Sequence, residues 1–298
     1  MVTIPSDASP RPAPIIAMAG FQSGAGKTKA ALHLAGGLAS HGARVLLIDT
    51  DIQNSVALTL GVSDPELSAL DAQGKTFGSA LSKGFPLASC ASEDNPAVIY
   101  AGHEIGAVEF LATANVVRDP HPDLAFESWA ADLGVQRAAY DYILIDCAPG
   151  LSFVTTAVLW AADVIVVPAV LDSEGQKAVT RFLEHVREVM NAGGRAVARR
   201  VWVLPRRVSI DGDDRFVLET KGTAPDLVEQ LAPILSEEFG TIELDGKVAE
   251  ATGESSTTPA TALGRLRRIS GDSPYAALVQ HTLAWRDRTL PPPGRPIP

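Results

Sequence analysis

Three short stretches carry the residue types that could do chemistry: Gly24-Ala25-Gly26-Lys27-Thr28, Asp49-Thr50-Asp51, and Asp146. In the first, glycines let backbone N–H groups converge on phosphate oxygens without a Cβ in the way. A helix opening at Lys27 adds its unpaired N–H groups and its dipole. Lys27 can then reach the β and γ phosphates, and the Thr28 hydroxyl can hold Mg²⁺. The full G-x-x-x-x-G-K-[ST] pattern needs Gly at position 21, where this chain has Phe21. Alone, the stretch reads as a phosphate-binding loop or as a glycine-rich turn with a chance lysine. The aspartates likewise read as ligand carboxylates or as turn caps, a role Asp fills readily.

The elements that must position these residues are legible around them. Ile15 to Ala19 is a short buried strand, and the helix from Lys27 runs to about Ser40, before His41-Gly42. Arg44 to Ile48 is a second apolar strand, running into Asp49. Tyr142 to Asp146 is another, ending in a carboxylate suited to support Mg²⁺ directly or through water. Carboxylates at the carboxyl ends of buried strands sit where parallel sheets bind ligands. Further strands are expected at Val98–Ala101, Val108–Ala112, Val164–Pro168 and Val201–Leu204, with an edge strand at Thr241–Leu244. Helices are expected at Leu124–Ala139, Leu151–Ala162, Glu174–Asn191, Pro225–Phe239 and Pro274–Arg288. Residues 62–96 read as a less regular peripheral wrap, and Ala251–Thr261 as a loop. Strands alternate with helices, so the fold class is α/β: a mostly parallel twisted sheet with helices on both faces.

Composition sets the bounds. The chain has 298 residues, 46% hydrophobic, enough for one large core. Residues 1–14, with Pro5, Pro10, Pro12 and Pro14, read as a disordered lead-in, 15–288 as a single domain, and 289–298 as a Pro-rich tail. No apolar run approaches the ~20 residues of a membrane span, so a soluble protein is expected. Cys90 and Cys147 offer no disulfide framework, which favours a reduced, cytoplasmic setting. The six histidines show no metal-ligand spacing. The acidic excess lies in residues 1–194, with 11 Lys/Arg against 21 Asp/Glu, while 195–298 carry 14 of each. A surface basic all over is excluded, and a local basic patch in the second half is not.

The order and spacing of the three stretches resemble the ParA/MinD family of deviant-Walker ATPases. Val45 to Gln53 resembles that family's V-L-L-I-D-x-D-P-Q, and Tyr140 to Pro149 its Y-D-Y-I-I-I-D-x-P-P. Val108 to Asn115 resembles its L-D-L-I-P-A-N strand, and Lys247-Val248-Ala249-Glu250-Ala251 its late V-R-L-A-E-A. The resemblance covers about residues 15–285 and is closer to the ParA branch. It implies a P-loop NTPase of the SIMIBI type with ATP and Mg²⁺ as cofactors. The implied nucleotide-binding residues are Gln22, Ser23, Gly24, Ala25, Gly26, Lys27, Thr28 and Lys29. Thr28, Asp49 and Asp146 would serve the metal, with Asp49 alternatively ordering its loop. Asp51 would orient the attacking water. Pro205 and Arg206 lie where the family's adenine pocket forms, or in a plain solvated turn. Lys247 matches a DNA-contacting arginine of the family. Arg199 and Arg200 join it as candidates for a non-specific DNA patch, which needs only clustered positive charge; a solvated face is the alternative.

The departures are equally specific. The family's signature lysine, which reaches across a dimer to the partner's ATP, is Gln22 here, and Ser23 replaces the first Gly of K-G-G-x-G-K-T. Lys29 and Ile52 replace a Thr and a Pro. Gln can hydrogen-bond a phosphate but brings no charge. The resemblance therefore implies ATP binding more firmly than fast hydrolysis or a tight ATP-sandwich dimer. Its implied function is a ParA-like ATPase that dimerises on ATP, holds DNA non-specifically, and positions a plasmid, chromosome locus or other cargo. A ParB-like or cargo-adaptor partner would act on it, in the cytoplasm on the nucleoid and away from membranes. The rivals are an ATP-binding switch with little hydrolysis, and an ATP-dependent small-molecule enzyme of the dethiobiotin-synthetase type.

Overall fold

Successive residues of Ile15–Met18 (β1) face opposite ways, as the two-residue period of a strand requires. Ile15 and Ala17 enter one hydrophobic core, and Ile16 and Met18 a second. This two-sided burial explains why the strands read as continuous apolar runs. The computed structural model describes residues 12–118, 133–170, 173–193, 200–206 and 275–289. Within them β1 is followed by α1 (Lys27–Ser40), β2 (Val45–Asp49), α2 (Ser55–Leu60), α3 (Asp64–Ala72), α4 (Phe77–Lys83), β3 (Ala97–Ile99) and α5 (Ile105–Arg118). A helical segment at 133–139 (α6) precedes β4 (Tyr142–Asp146), α7 (Phe153–Ala161), β5 (Val164–Val170), α8 (Ser173–Gly193), β6 (Arg200–Arg206) and α9 (Ala276–Thr289). The sheet order is β3-β2-β4-β1-β5-β6, and every pair is parallel.

The first core, under α4, α5, α7 and α8, includes Phe77, Ile105, Val158 and Phe182. The second, under α1 and α9, includes Leu34, Leu38, Trp202 and Trp285. There α1 carries Gly37 against Val279, so close that a Cβ at position 37 would collide with the valine side chain. His33 stacks on Tyr275 at 4.6 Å, and Trp202 meets Trp285 edge-on at 5.5 Å. The Asp141 carboxylate takes Arg44 at 3.2 Å and Arg286 at 3.5 Å, tying α9 to the start of β4.

Two expectations are corrected. Val108–Ala112 is not a strand but the middle of α5. Among the described side chains of α5 the buried or half-buried positions are 105, 106, 108, 109 and 112, close to a helical period, while Phe110 and Leu111 are exposed. Residues 62–96 are also more regular than expected. Ser63 and Glu66 form a reciprocal capping box that starts α3, and Thr76 caps α4; such caps contribute about 1 kcal/mol each. The helices expected at 151–162, 174–191 and 274–288 are present at Phe153–Ala161, Ser173–Gly193 and Ala276–Thr289, each end within two residues of the expected one. The elements expected at 225–239, 241–244 and 251–261 lie outside the described residues, as do residues 1–11 and 290–298.

His103 fastens α3 to the loop after β3. Its Nδ1 lies 2.7 Å from Asp71 Oδ2 and its Nε2 lies 3.0 Å from Asp64 Oδ1. Both ring nitrogens donate only in the imidazolium form. Hydrogen bonds to Asp64 and then Asp71 raise the His103 pKa above its ordinary 6.5. The stabilisation is complete below that ordinary value and is lost as pH rises through the raised one. Thermal unfolding followed across this window should show a falling midpoint, and His103→Ala should flatten the dependence.

Candidate functional site

Strand register brings the chemistry to one edge. Met18 pairs with Asp146, and Asp146 pairs with Asp49, so β1, β4 and β2 end at the same level. The loops that follow all leave from the carboxyl edge of the sheet, where such folds bind ligands.

The loop after β1 reaches α1 through two left-handed glycines, Gly24 at φ 73° and Gly26 at φ 91°. Other L residues rarely adopt that conformation, which is why the spacing of these two glycines matters. Ala25 is buried beneath the loop, Gln22 is half-buried and Ser23 is exposed. Lys27, the first residue of α1, is also buried, and its Nζ donates to the Gln22 carbonyl at 3.0 Å. Burial pushes its pKa down; Asp146, Cys147 and Asp51 push it back up. Thr28 follows half-buried, and Lys29 is exposed.

The aspartates divide by their partners. Asp49 is fully buried and accepts from Asp51 N at 2.9 Å and from Val56 N at 3.2 Å. Burial first, and then Asp146, hold its pKa well above the ordinary carboxylate range. Both its oxygens thus order the loop leading into α2. Asp51 accepts from Gln53 N at 3.0 Å through Oδ1. Asp146 differs: among the described residues neither of its oxygens, both buried, meets a hydrogen-bond partner of ordinary geometry. Burial pushes its pKa up to about 7, while the nearby Thr28 hydroxyl and Lys27 ammonium draw it down. A buried carboxylate with so little hydrogen bonding, beside a threonine hydroxyl, suits a bound cation, which would repay its lost hydration. Among the described residues no three His, Cys, Asp or Glu side chains converge on one point. Mg²⁺ needs no such cage, since phosphates and waters fill most of its shell. The residues therefore fit Mg²⁺ bound with a phosphate ligand.

Two residues that sequence reasoning missed hold this arrangement. Asn54 is left-handed at φ 51°, and its side chain clamps Gly102 through Gly102 N at 2.8 Å and Gly102 O at 3.4 Å. It ties the Asp51 loop to the end of β3. An Asn shortly after a D-x-D is the available signal, since Asn tolerates left-handed turns. Glu109 on α5 accepts from the Ser152 hydroxyl at 2.5 Å and from Val154 N at 3.1 Å, capping α7. No local pattern announces that contact, which joins residues far apart in the chain.

The remaining candidates separate. Pro205 and Arg206 close β6 opposite Ala169 and Val170, at the same carboxyl edge as the loop. Arg200 opens β6 at the opposite edge. Arg199 and Lys247 lie outside the described residues.

Comparison with known proteins agrees with this geometry. A family model described as an AAA domain matches residues 13–197. The chromosome partitioning protein ParA of Caulobacter vibrioides is 31% identical over 189 residues, which cover 61% of this chain and 67% of the relative. Apo McdA from Cyanothece has a similar fold, with a TM-score of 0.60 at 18% identity over 92% of this chain and 94% of its own. Cobyrinic acid a,c-diamide synthase from Mycobacterium smegmatis, solved with an ATP analogue and magnesium, gives 0.59 at 17% identity over 94% and 99%.

Proposed function

Because this chain belongs to the ParA/MinD family of P-loop ATPases, we propose that it binds and slowly hydrolyses Mg·ATP to position a cargo. One observation carries the reading. Lys27, Asp51 and Asp146 meet at a single sheet edge, and Asp146 is left without a hydrogen-bond partner of ordinary geometry there. Lys27 would leave the Gln22 carbonyl for the β and γ phosphates, and the backbone of Gly24 to Thr28 would cradle them. Thr28 would hold Mg²⁺ and Asp146 would support it, with Asp49 shaping the loop around them. When bound, the ion neutralises phosphate charge. Asp51 would hold the attacking water, and Pro205 and Arg206 would border the adenine. The decisive measurement is equilibrium binding of Mg·ATP: Lys27→Ala should abolish it at concentrations that saturate the wild type. Equal affinity in the variant would remove the phosphate-loop assignment.

Around this centre we place an ATP-dependent homodimer over residues 15–288, non-specific DNA, and a ParB-like or cargo-adaptor partner. This follows the family and the role named for the Caulobacter relative. Among the described residues no helix is long and apolar enough to cross a membrane. DNA retention should require ATP and fall steeply with salt, because it rests on charge against phosphate. Retention of random duplex that is equal with ADP, or flat with salt, would leave the basic residues as a solvated face. A second reading, an ATP-binding switch with little turnover, is favoured by Gln22, which brings no charge to the site.

A further inference from the structure

We infer that Phe21 is a positioning residue: it stakes the entry limb of the phosphate loop to α8, so that nucleotide seated in the loop is felt along α8. This rests on the phosphate-loop reading above and goes beyond it.

The full loop pattern has glycine at position 21, and an aromatic ring stands there instead. The chain leaves β1 close along β5: a Cβ on Gly20 would lie 3.6 Å from Val167 Cγ1. The next residue, Phe21, then meets α8 twice. Its ring lies edge-on to Phe182, with centroids 5.3 Å apart and an interplanar angle of 84°. It also lies 6.1 Å from the His185 ring at 62°. Phe182 has no freedom to follow the loop. It is fully buried in the inner stripe of α8, with Val179, Leu183 and Val186 at helical spacing. His185 stands at the exposed margin of that stripe, 3.4 Å from Glu188.

The consequence reaches the next residue. The Gln22 carbonyl is the group that holds the Lys27 ammonium at 3.0 Å. Fixing the Phe21 ring on α8 fixes the position of that carbonyl, and with it where Lys27 rests before phosphate arrives. When Lys27 exchanges the carbonyl for phosphate, the entry limb is released at one end and still held at the other. Any strain in the limb then passes into α8 through Phe21, a route between two segments that lie far apart in the sequence.

The test compares wild type, Phe21→Ala and Phe21→Tyr by titration with a fluorescent ATP analogue and Mg²⁺, and by hydrogen exchange of residues 173–193 with and without ATP. Phe21→Ala should raise Kd ~10-fold, the scale of one well-placed aromatic pair. It should also abolish the ATP-dependent change in α8 exchange that the wild type shows, and Phe21→Tyr, which keeps the ring, should restore both. A Phe21→Ala protein that melts lower but keeps wild-type Kd and the α8 response would make Phe21 a packing residue only and overturn the inference. A wild type that binds nucleotide with no change in α8 would overturn it as well. A wild type that binds no nucleotide would overturn the phosphate-loop reading itself, a failure visible without any variant.

Discussion

Asp51→Ala is expected to bind Mg·ATP as the wild type does and to lose hydrolysis by ~10²–10⁴-fold, the usual contribution of a positioned proton acceptor. The geometry separates this residue from its neighbours. Asp49 spends both oxygens on backbone N–H groups, so its loss should unseat the loop and lower affinity and rate together. Asp51 spends one oxygen on Gln53 N and has its other acceptor positions available for a water. Its carboxylate is also among the charges that raise the Lys27 pKa against the lowering effect of burial. Single-turnover hydrolysis alongside a binding titration checks the split. Unchanged turnover would move the water-positioning role to another side chain.

The second large effect is a gain. In the family a lysine at the place of Gln22 offers positive charge to the partner's phosphates. Two ATP molecules facing each other across a dimer carry several negative charges, and a trans cation on a transferring phosphoryl group can be worth ~10³ or more in rate. Gln22→Lys should therefore raise both turnover and ATP-dependent dimerisation. Lys29 is an imperfect substitute, because it follows Thr28 into α1 and is exposed there. Steady-state hydrolysis and light scattering with ATP read the two effects. If neither rises, or if the wild type already matches a lysine-bearing relative, another group supplies the charge.

What is legible in the sequence is what local chemistry dictates. Strands buried on both faces must be apolar throughout, so β1, β2, β4 and β5 stand out, and with them the edge where Lys27, Asp49, Asp51 and Asp146 gather. The middle of α5 reads as a strand because Val108-Glu109-Phe110-Leu111 is a short, mostly apolar run. Its helical period emerges only once the burial of Ile105 and the contact of Glu109 with α7 are known. Asn54 and Gly102 are illegible for a related reason. Their bond joins loops on different strands, and tertiary contacts leave no periodicity behind. For Asp49 the two sequence readings, ligand and turn cap, are separable only by its backbone donors.

The seat of α9 decides where this polypeptide can be divided. Between β6 and α9 run residues 207–275, and a truncation meant to isolate the residues before them would remove α9. Yet α9 returns to cover α1 and β6, with Val279 against Gly37, Tyr275 just ahead of the helix on His33, and Trp285 on Trp202 of β6. Cutting it away would bare Gly37 and the face around it on the very helix that carries Lys27. The smallest self-sufficient fragment must therefore keep the return helix together with the strands before it.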